Sequence, residues 1–339
     1  MMESQTDNST TSARDPLRIG ILGASRVARY AIVRPARKVL RVAVDSIASR
    51  DAARGRDFAR RFGVPRVQPT YDALLADPAI DAVYIGLPNS LHAQWSIRAL
   101  EAGKHVLCEK PLASNEGEAH AIAEAARRAD RVFMEGMHYR YHPMPPRLRE
   151  LAQQISPLRS IEIWNCFPIL SRNDIRYQLA LSGGALMDLG SYAVNLLRFL
   201  APGAVEVVAA EARLRGEGID RWMHASLRIH DGVDARVTCA MLSATLVRSE
   251  ATMHGDRGTL RVVNPFAPHL FNRITLRLDG KRTHERLASG PTTFEYQLRA
   301  FAAAIDAGAA VITSAADGAA TMRVIDAIYR KAGLPVRGC

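Results

Sequence analysis

The first third of the chain alternates short apolar runs with amphipathic stretches, and this alternation narrows the fold more than any other feature. Leu17–Leu22 reads as a short buried strand, and Val27–Leu40 as a helix that Pro35 should kink or shorten. Val42–Ala48 is a second strand, with Asp45 as its imperfection. Ala52–Phe62 follows as an amphipathic helix, with Phe58 and Phe62 four residues apart and Gly63 as its stop. Tyr71–Leu75 predicts a helical turn, Ala82–Gly86 a strand, His92–Ala102 a helix ending at Gly103, and His105–Cys108 another strand. Glu116–Arg128 adds a helix and Val132–Glu135 a strand. Repeated β-α units of this length predict an α/β fold built on a doubly wound, mostly parallel sheet.

The pattern changes after His142-Pro143-Met144-Pro145-Pro146, a Pro cluster that reads as a domain hinge. Beyond it the strands lengthen and follow one another more directly. They are Ser160–Phe167, Val205–Leu214, His224–Ile229, Ala235–Met241, Thr259–Val263 and Ile274–Leu278, with Asp231-Gly232 as a hairpin signal. Ala185–Leu200 reads as a helix laid on this sheet, and Phe294–Ala307 and Ala315–Ala332 as two closing helices. The expected second part is therefore an α+β domain with a large, mainly antiparallel open sheet. The expected boundaries are a disordered tail (1–16), a dinucleotide-binding domain (17–143) and a substrate and dimerisation domain (144–312). A C-terminal segment (313–339) is expected to pack back towards the first domain.

A chain of 339 residues suits two domains, and no apolar stretch approaches the ~20 residues of a membrane span. Met1–Pro16 is polar and lacks the basic start and apolar segment of a signal peptide, so a cytoplasmic location is expected. The four cysteines, Cys108, Cys166, Cys239 and Cys339, form no CxxC pair and read as free thiols; Cys108 reads as a small core residue. Net charge is +11, but the arginines are interspersed with acids, and no aromatic RNA-binding motif, zinc spacing or basic arm is present. Nucleic acid is therefore not an expected partner. Attraction of an anionic cofactor or substrate is the better use of the charge.

The first strand runs into Gly23-Ala24-Ser25-Arg26-Val27-Ala28 and then a helix. This is the setting of the Rossmann dinucleotide fingerprint: Gly23 for the tight turn, Ala28 for close helix packing, and amides of Ser25, Arg26 and Val27 facing the pyrophosphate. Ser25 replaces the second Gly, and its hydroxyl could donate to phosphate. The second strand ends at Ser49-Arg50, where an NAD enzyme usually has an acid for the ribose 2′-hydroxyl. Arg50 suits a 2′-phosphate, which favours NADP; Asp51 follows and would serve NAD as the alternative. Leu87-Pro88-Asn89 and His92, after the next strand, are expected beside the nicotinamide ribose.

Glu109-Lys110-Pro111 closes a buried strand. Pro111 stops the ladder, so Lys110 is presented at the strand's carboxyl end, where open α/β sheets bind ligands. Only five lysines accompany 40 arginines, which makes this Lys less easily filler. The second dense motif is Gly183-Gly184-Ala185-Leu186-Met187-Asp188-Leu189-Gly190-Ser191-Tyr192. Asp188 and Tyr192 are i and i+4 and share one helix face. Gly190 inside a helix suggests a close approach there. Arg172, Asp174, Arg176 and Tyr177 precede this motif and are candidates to face substrate. No His/Asp/Glu cluster has metal-ligand spacing, so no metal is expected.

Together these motifs, with Arg140-Tyr141-His142-Pro143, resemble the glucose–fructose oxidoreductase / inositol dehydrogenase / MocA family from Arg18 to the C-terminus. Tyr192, where many members carry His, resembles the branch with dimeric dihydrodiol dehydrogenases and NADP-dependent xylose dehydrogenases. The resemblance implies hydride transfer between NADP(H) and a secondary alcohol or hemiacetal of a sugar or cyclic diol. It implies Glu109 and Lys110 near the cofactor, a cis bond before Pro111, and Arg140, Arg176 and Tyr177 on the substrate side. It also implies a homodimer or homotetramer through the second sheet. In this frame Tyr192 is the expected acid/base, its pKa lowered by Lys110, with Asp188 orienting Lys110 or substrate; Lys110 and Tyr192 could exchange roles. A ketoreductase of a nucleotide-linked deoxysugar is the alternative enzyme. A dinucleotide sensor without turnover is the alternative of another class.

Overall fold

A computed structural model describes residues 15–230 and 232–338. Of the tail expected over residues 1–16, residues 1–14 lie outside the described residues, as do Asp231 of the hairpin signal and Cys339. The first sheet contains β1 (Leu17–Leu22), β2 (Val42–Ala48), β3 (Arg66–Gln68), β4 (Ala82–Ile85), β5 (His105–Cys108) and β6 (Phe133–Glu135). Their order is β3-β2-β1-β4-β5-β6, and every neighbouring pair is parallel. β4 is buried at every position, as a strand covered on both faces should be. The order reverses between β1 and β4, and such a switch point leaves a crevice at the strands' carboxyl ends.

The helices of this half are α1 (Arg34–Ala36), α2 (Ala52–Phe62), α3 (Tyr71–Ala76), α4 (His92–Glu101) and α5 (Glu116–Ala129). The helix expected over Val27–Leu40 is shorter and of another kind. A π-turn, Arg29–Val33, widens the backbone so that Arg34 N–H reaches Arg29 O, and helix ends at Ala36. Pro35 has no N–H to continue a regular ladder. β3 was not expected. It is a three-residue edge strand, and its Arg66 and Gln68 both reach Asp77, with Arg66 also on Asp45. Asp45 thus interrupts β2 because it serves this polar edge.

The second half contains α6 (Met144–Gln154), β7 (Leu158–Cys166), α7 (Ser191–Leu200), β8 (Val205–Leu214), β9 (Asp220–Ile229) and β10 (Asp234–Ala240). It continues with β11 (Arg248–Gly255), β12 (Gly258–Val263), β13 (Arg273–Leu278), β14 (Lys281–Glu285), α8 (Thr293–Ala307) and α9 (Ala315–Lys331). Its sheet runs β14-β13-β12-β11-β7-β10-β9-β8, antiparallel except for the parallel β7–β10 pair. The Pro cluster read as a domain hinge also starts α6. Pro145 and Pro146 stand in its first turn, where the missing N–H groups have no partner to lose, and His142 Nδ1 accepts the Met144 N–H at 3.1 Å.

The helix expected over Ala185–Leu200 opens with a π-turn, Leu186–Gly190, before α7. The close approach at Gly190 comes from the protein itself. A Cβ there would lie 2.7 Å from Leu186 Cδ1 and 2.9 Å from Cys239 Sγ on β10. α9 returns to the first half, where Asp326 Oδ2 accepts the Glu116 N–H at 2.9 Å and Arg323 donates to Glu116 at 2.7 Å. One apolar cluster joins Ile85, Cys108 and Leu112 to Leu186, Met187 and Met241, so the two sheets form one packed body. Cys108, Cys166 and Cys239 are free and buried; burial pushes the Cys108 thiol up and that of Cys166 up to about 11.

Glu135 ends β6 at 1% exposure, and its Oε2 has no hydrogen-bond partner among the described residues. Burial raises its carboxyl from 4.5 to about 8. The folded chain then keeps a proton that the unfolded chain releases, so this group's contribution to stability falls as pH rises from about 4.5 to about 8. Glu135→Gln is expected to flatten the fall in melting temperature across that window, measured by thermal unfolding against pH. Gly190→Ala is expected to destabilise the fold by about 1–3 kcal/mol through overpacking, measured by urea unfolding.

Candidate active site

The carboxyl ends of β1, β2, β4, β5 and β6 bring most of the expected residues to one crevice. After β1, Gly23 takes φ +95°, a value that L side chains rarely adopt, and a Cβ there would lie 2.9 Å from Gly86 O. Ser25 Oγ accepts the Ala28 N–H at 3.3 Å, so its first task is to close the turn; its O–H remains available to a phosphate. Ala28 is fully buried and packs against the sheet, while Arg26 and Val27 stand at the mouth of the turn. Arg26 is 96% exposed and lies 3.9 Å from Asp174 of the opposite half.

At the end of β2, Ser49 is partly buried and Arg50 exposed. Among the described residues the Arg50 guanidinium has no hydrogen bond or ion pair. Asp51 is the N-cap of α2, and its Oδ1 accepts the Arg54 N–H at 3.1 Å. Arg54 reaches back to Ala24 O at 3.4 Å. The sequence reading missed Arg54, although it lies one helical turn past Arg50. The acid that would suit an NAD ribose is therefore a helix cap, and two guanidinium groups flank the turn. This donor set fits a 2′-phosphate and a pyrophosphate.

After β4, Leu87 packs against Gly23 and Asn89 donates to Ser182 O at 2.9 Å across the crevice. His92 differs from its expected cofactor contact. It is fully buried, with Nδ1 2.8 Å from Pro111 O and Nε2 2.9 Å from Leu87 O. Burial and the charge of Lys110 lower its pKa, against the pull of the two carbonyls. His92 thus ties the Leu87–Pro88 loop to the Lys110–Pro111 loop, whose peptide bond is cis.

Glu109 is 8% exposed and accepts from Tyr84 Oη at 2.8 Å; burial raises its pKa. It faces the sheet interior rather than an open cofactor surface. Lys110 Nζ donates to Asp188 Oδ1 at 2.8 Å and to Asp188 O at 2.6 Å, and sits 4.7 Å from the centre of the Tyr192 ring. Arg176 Nε lies 3.1 Å from the other Asp188 oxygen. Burial alone would raise the Asp188 carboxyl, but Lys110 and Arg176 hold it below its ordinary value.

The Tyr192 hydroxyl is not aimed at Lys110; it is 3.0 Å from His138 Nε2. The expected lowering of its pKa is reversed: burial, then the charges of Glu109 and Asp188, push it well above 10. Tyr192 is therefore held as the phenol. His138 was missed, although a His just past the end of β6 follows the same logic that singled out Lys110. Burial brings its imidazole down to about 3, so it is neutral through the physiological range.

The turn carrying Asp188 is set by a buried network. Asp220 accepts from Leu186 N–H at 2.7 Å, Tyr329 Oη at 2.9 Å and Arg337 Nη2 at 2.7 Å, while Arg337 Nε donates to Gly183 O at 3.0 Å. A Cβ on Gly184 would fall 2.1 Å from Asp220 Oδ1 and one on Gly183 2.4 Å from Arg176 O, which explains the Gly pair before the helix.

Two expected substrate contacts are engaged elsewhere. Arg140, with its side chain 9% exposed, binds Asn195 at 3.2 Å and Asp317 at 3.7 Å and lies over the Phe199 ring. Tyr177 Oη donates to Ile169 O at 2.9 Å, and Arg215 stacks on its ring. Among the described residues no three potential ligands gather to hold a metal ion, and no helix is long and apolar enough to cross a membrane.

Residues 17–137 match the Gfo/Idh/MocA oxidoreductase family, NAD-binding Rossmann fold, and residues 148–261 match the Gfo/Idh/MocA C-terminal domain. The protein named D-xylose 1-dehydrogenase (NADP(+)) 2 of Haloferax volcanii is 33% identical over 92% of this chain and 96% of its own. The dTDP-3,4-didehydro-2,6-dideoxy-alpha-D-glucose 3-reductase of Saccharopolyspora spinosa is 33% identical over 90% of this chain and 92% of its own. The crystal structure of KijD10, a 3-ketoreductase from Actinomadura kijaniata in complex with NADP and TDP-benzene, superposes with a TM-score of 0.87. It is 28% identical and covers 94% of this chain and 98% of its own. With both of its halves matched and the Lys110, Asp188 and Tyr192 side chains gathered at the crevice, the chain belongs to the Gfo/Idh/MocA oxidoreductase family.

Proposed function

We propose that the protein is an NADP-dependent oxidoreductase acting on a CH–OH group of a sugar or cyclic diol, in the manner of a xylose or dihydrodiol dehydrogenase. The observation that carries this reading is the Lys110 ammonium, held by Asp188 against the Tyr192 ring at the mouth of the parallel sheet. Gly23, Ser25, Arg26, Arg50 and Arg54 would hold the cofactor's phosphates, and Leu87, Pro88 and Asn89 would border its nicotinamide half. Bound there, NADP supplies a two-electron hydride acceptor, or donor in the reverse direction. The protein's share is to manage the oxygen. Lys110 stabilises the developing alkoxide, Asp188 fixes the direction of Lys110, and the Tyr192 hydroxyl carries the proton. The opposite division, with Lys110 moving the proton, is separated from this one by the variants below.

Reduction of a ketone on a nucleotide-linked deoxysugar is the second reading. It is favoured by Arg176, which joins Asp188 at the site while remaining 45% exposed, and by a Tyr192 held protonated, as a general acid must be. For self-association we favour the outward face of the eight-stranded sheet, where Glu162, Trp164 and His224 alternate with inward Ile161, Ile163 and Ala225. A dimer or tetramer in sedimentation would support this, and a monomer would overturn it.

The purified protein, given NADP⁺ or NAD⁺ with D-xylose, inositols or cyclic trans-diols at mildly alkaline pH, is expected to form reduced nicotinamide with NADP⁺. Lys110→Ala should abolish the reaction, and Tyr192→Phe should slow turnover by roughly 10²-fold or more. Near-normal turnover in Tyr192→Phe would transfer the proton role to Lys110. Arg50→Ala is expected to raise the KM for NADP⁺ about tenfold, the worth of one charge-assisted hydrogen bond, with little change for NAD⁺. If no alcohol is oxidised despite tight NADPH binding, the ketoreductase reading takes its place.

A further inference from the structure

Tyr192 is the first of four groups in a row. Its hydroxyl is 3.0 Å from His138 Nε2, and His138 Nδ1 is 2.9 Å from Thr293 Oγ1. Thr293 Oγ1 is in turn 3.2 Å from His269 Nδ1. The inner members are enclosed: His138 is 7% exposed and Thr293 fully buried, with the His138 ring 4.0 Å from that of Phe294. His269 is partly exposed and adjoins Leu270 and Phe271, both open to solvent. The chain therefore runs from the reacting oxygen to the surface.

The polarity of the row follows from its outer end. The Thr293 N–H also donates to His269 Nδ1, at 3.5 Å, so that nitrogen is an acceptor. The Thr293 hydroxyl can then donate to the same nitrogen, which leaves Thr293 Oγ1 to accept from His138 Nδ1–H. His138 Nε2 is left as the acceptor for the Tyr192 hydroxyl. Along the row each group donates to the next, and at His269 Nδ1 the Thr293 hydroxyl, at 3.2 Å, is the nearer of two donors that share one lone pair.

From this geometry we propose that His138, Thr293 and His269 form a proton relay that connects Tyr192 to solvent. The proposal rests on the reading that Tyr192 is the proton carrier of an alcohol dehydrogenation. In that direction the substrate O–H bond breaks and its proton binds Tyr192 Oη, as the Tyr192 proton moves to His138 Nε2. The His138 Nδ1 proton moves to Thr293 Oγ1, the Thr293 proton to His269 Nδ1, and His269 releases its Nε2 proton to water. The hydride of the carbinol C–H bond would pass to NADP⁺ bound at the crevice, so charge and atoms balance. Ketone reduction runs the same steps backwards.

A relay answers a difficulty at Tyr192. Its phenol is held far from ionising, so no phenolate waits to accept the substrate's proton. A phenol can accept that proton only as its own leaves, and the row supplies the exit. The charged and titratable groups around the row are Lys110 on the loop after β5, Glu295 on α8, His142 before α6, and Glu109, Asp188, Tyr139 and Glu135 beside Tyr192.

Thr293→Val removes the hydroxyl at nearly constant shape. It is expected to lower kcat for NADP⁺ reduction by D-xylose by about tenfold or more, within the usual worth of positioned proton transfer. The KM for D-xylose and NADPH affinity should remain within about twofold. Added imidazole buffer should accelerate Thr293→Val and leave the parent unchanged, a response a structural role would not give. Thr293→Ser should recover most of the rate. A Thr293→Val kcat within about twofold of the parent would overturn the relay. Nitrogen-15 NMR of the histidine rings supplies a test independent of substrate: the relay requires the Nδ1–H tautomer at His138, and the Nε2–H tautomer would overturn it. If D-xylose is not oxidised while His138 shows the Nδ1–H tautomer, the substrate assignment fails and the relay stands.

Discussion

The ion pair between Lys110 and Asp188 is the junction on which the rest of the molecule converges. A buried ion pair adds little to stability, since desolvating both charges offsets most of their attraction. Its presence demands that the two loops carrying it be held by other means, and they are. The Lys110 side is braced by His92, whose ring nitrogens meet the carbonyls of Pro111 and Leu87. α9 presses on the same loop, where a Cβ at Gly318 would lie 2.5 Å from Leu112 Cδ2. The Asp188 side hangs from Asp220, which gathers Leu186, Tyr329 and Arg337 in a core with no exposure. The two sheets are joined by a shared apolar cluster, and the packing of that cluster keeps the Lys110–Asp188 pair in register.

The electrostatics of the crevice separate groups that would otherwise titrate together. Asp188 is held ionised by two cations, whereas Glu109, facing Tyr84, and Glu135, with an unpartnered oxygen, are pushed towards their neutral forms. Tyr192 is kept as a phenol and His138 as a neutral imidazole. Environments that drive neighbouring groups apart in this way assign one to charge stabilisation and another to proton transfer. On the proposed function, the Lys110–Asp188 ion pair serves charge stabilisation and the row beginning at Tyr192 serves proton transfer.

Much of this was legible in the sequence because it depends on local pattern. The β-α alternation gave the parallel sheet, since strands buried on both faces are continuous apolar runs. Lys110, Asp188 and Tyr192 stood out because strand ends and i, i+4 spacing are local facts. What escaped was non-local or polar. β3 and β14 are edge strands with almost no apolar residues, and β11 alternates only weakly, so pairing with neighbouring strands (β12 and β7 for β11) rather than composition makes them strands. Arg140 was expected at substrate from the family resemblance and Tyr177 from its place before the Gly-Gly motif, but Asn195, Asp317 and Ile169 O claim them in three dimensions. The Tyr192 pKa ran opposite to expectation because sequence shows the nearby Lys and hides the depth of burial. Thr293 and His269 lie more than 75 residues from Tyr192, and no spacing rule joins them.

The capping of α2 by Asp51 bears on how this chain could change over evolutionary time. Arg50 and Arg54 are exposed, with one 3.4 Å contact from Arg54 to Ala24 O, so on the proposed cofactor assignment a dinucleotide preference held there can drift with little effect on folding. Recruiting Asp51 to a ribose hydroxyl is a different matter, because the carboxylate already closes the first turn of a helix. Coenzyme choice is therefore easy to lose and hard to invert at this turn. A lineage moving from one dinucleotide to the other would first acquire a new acid nearby.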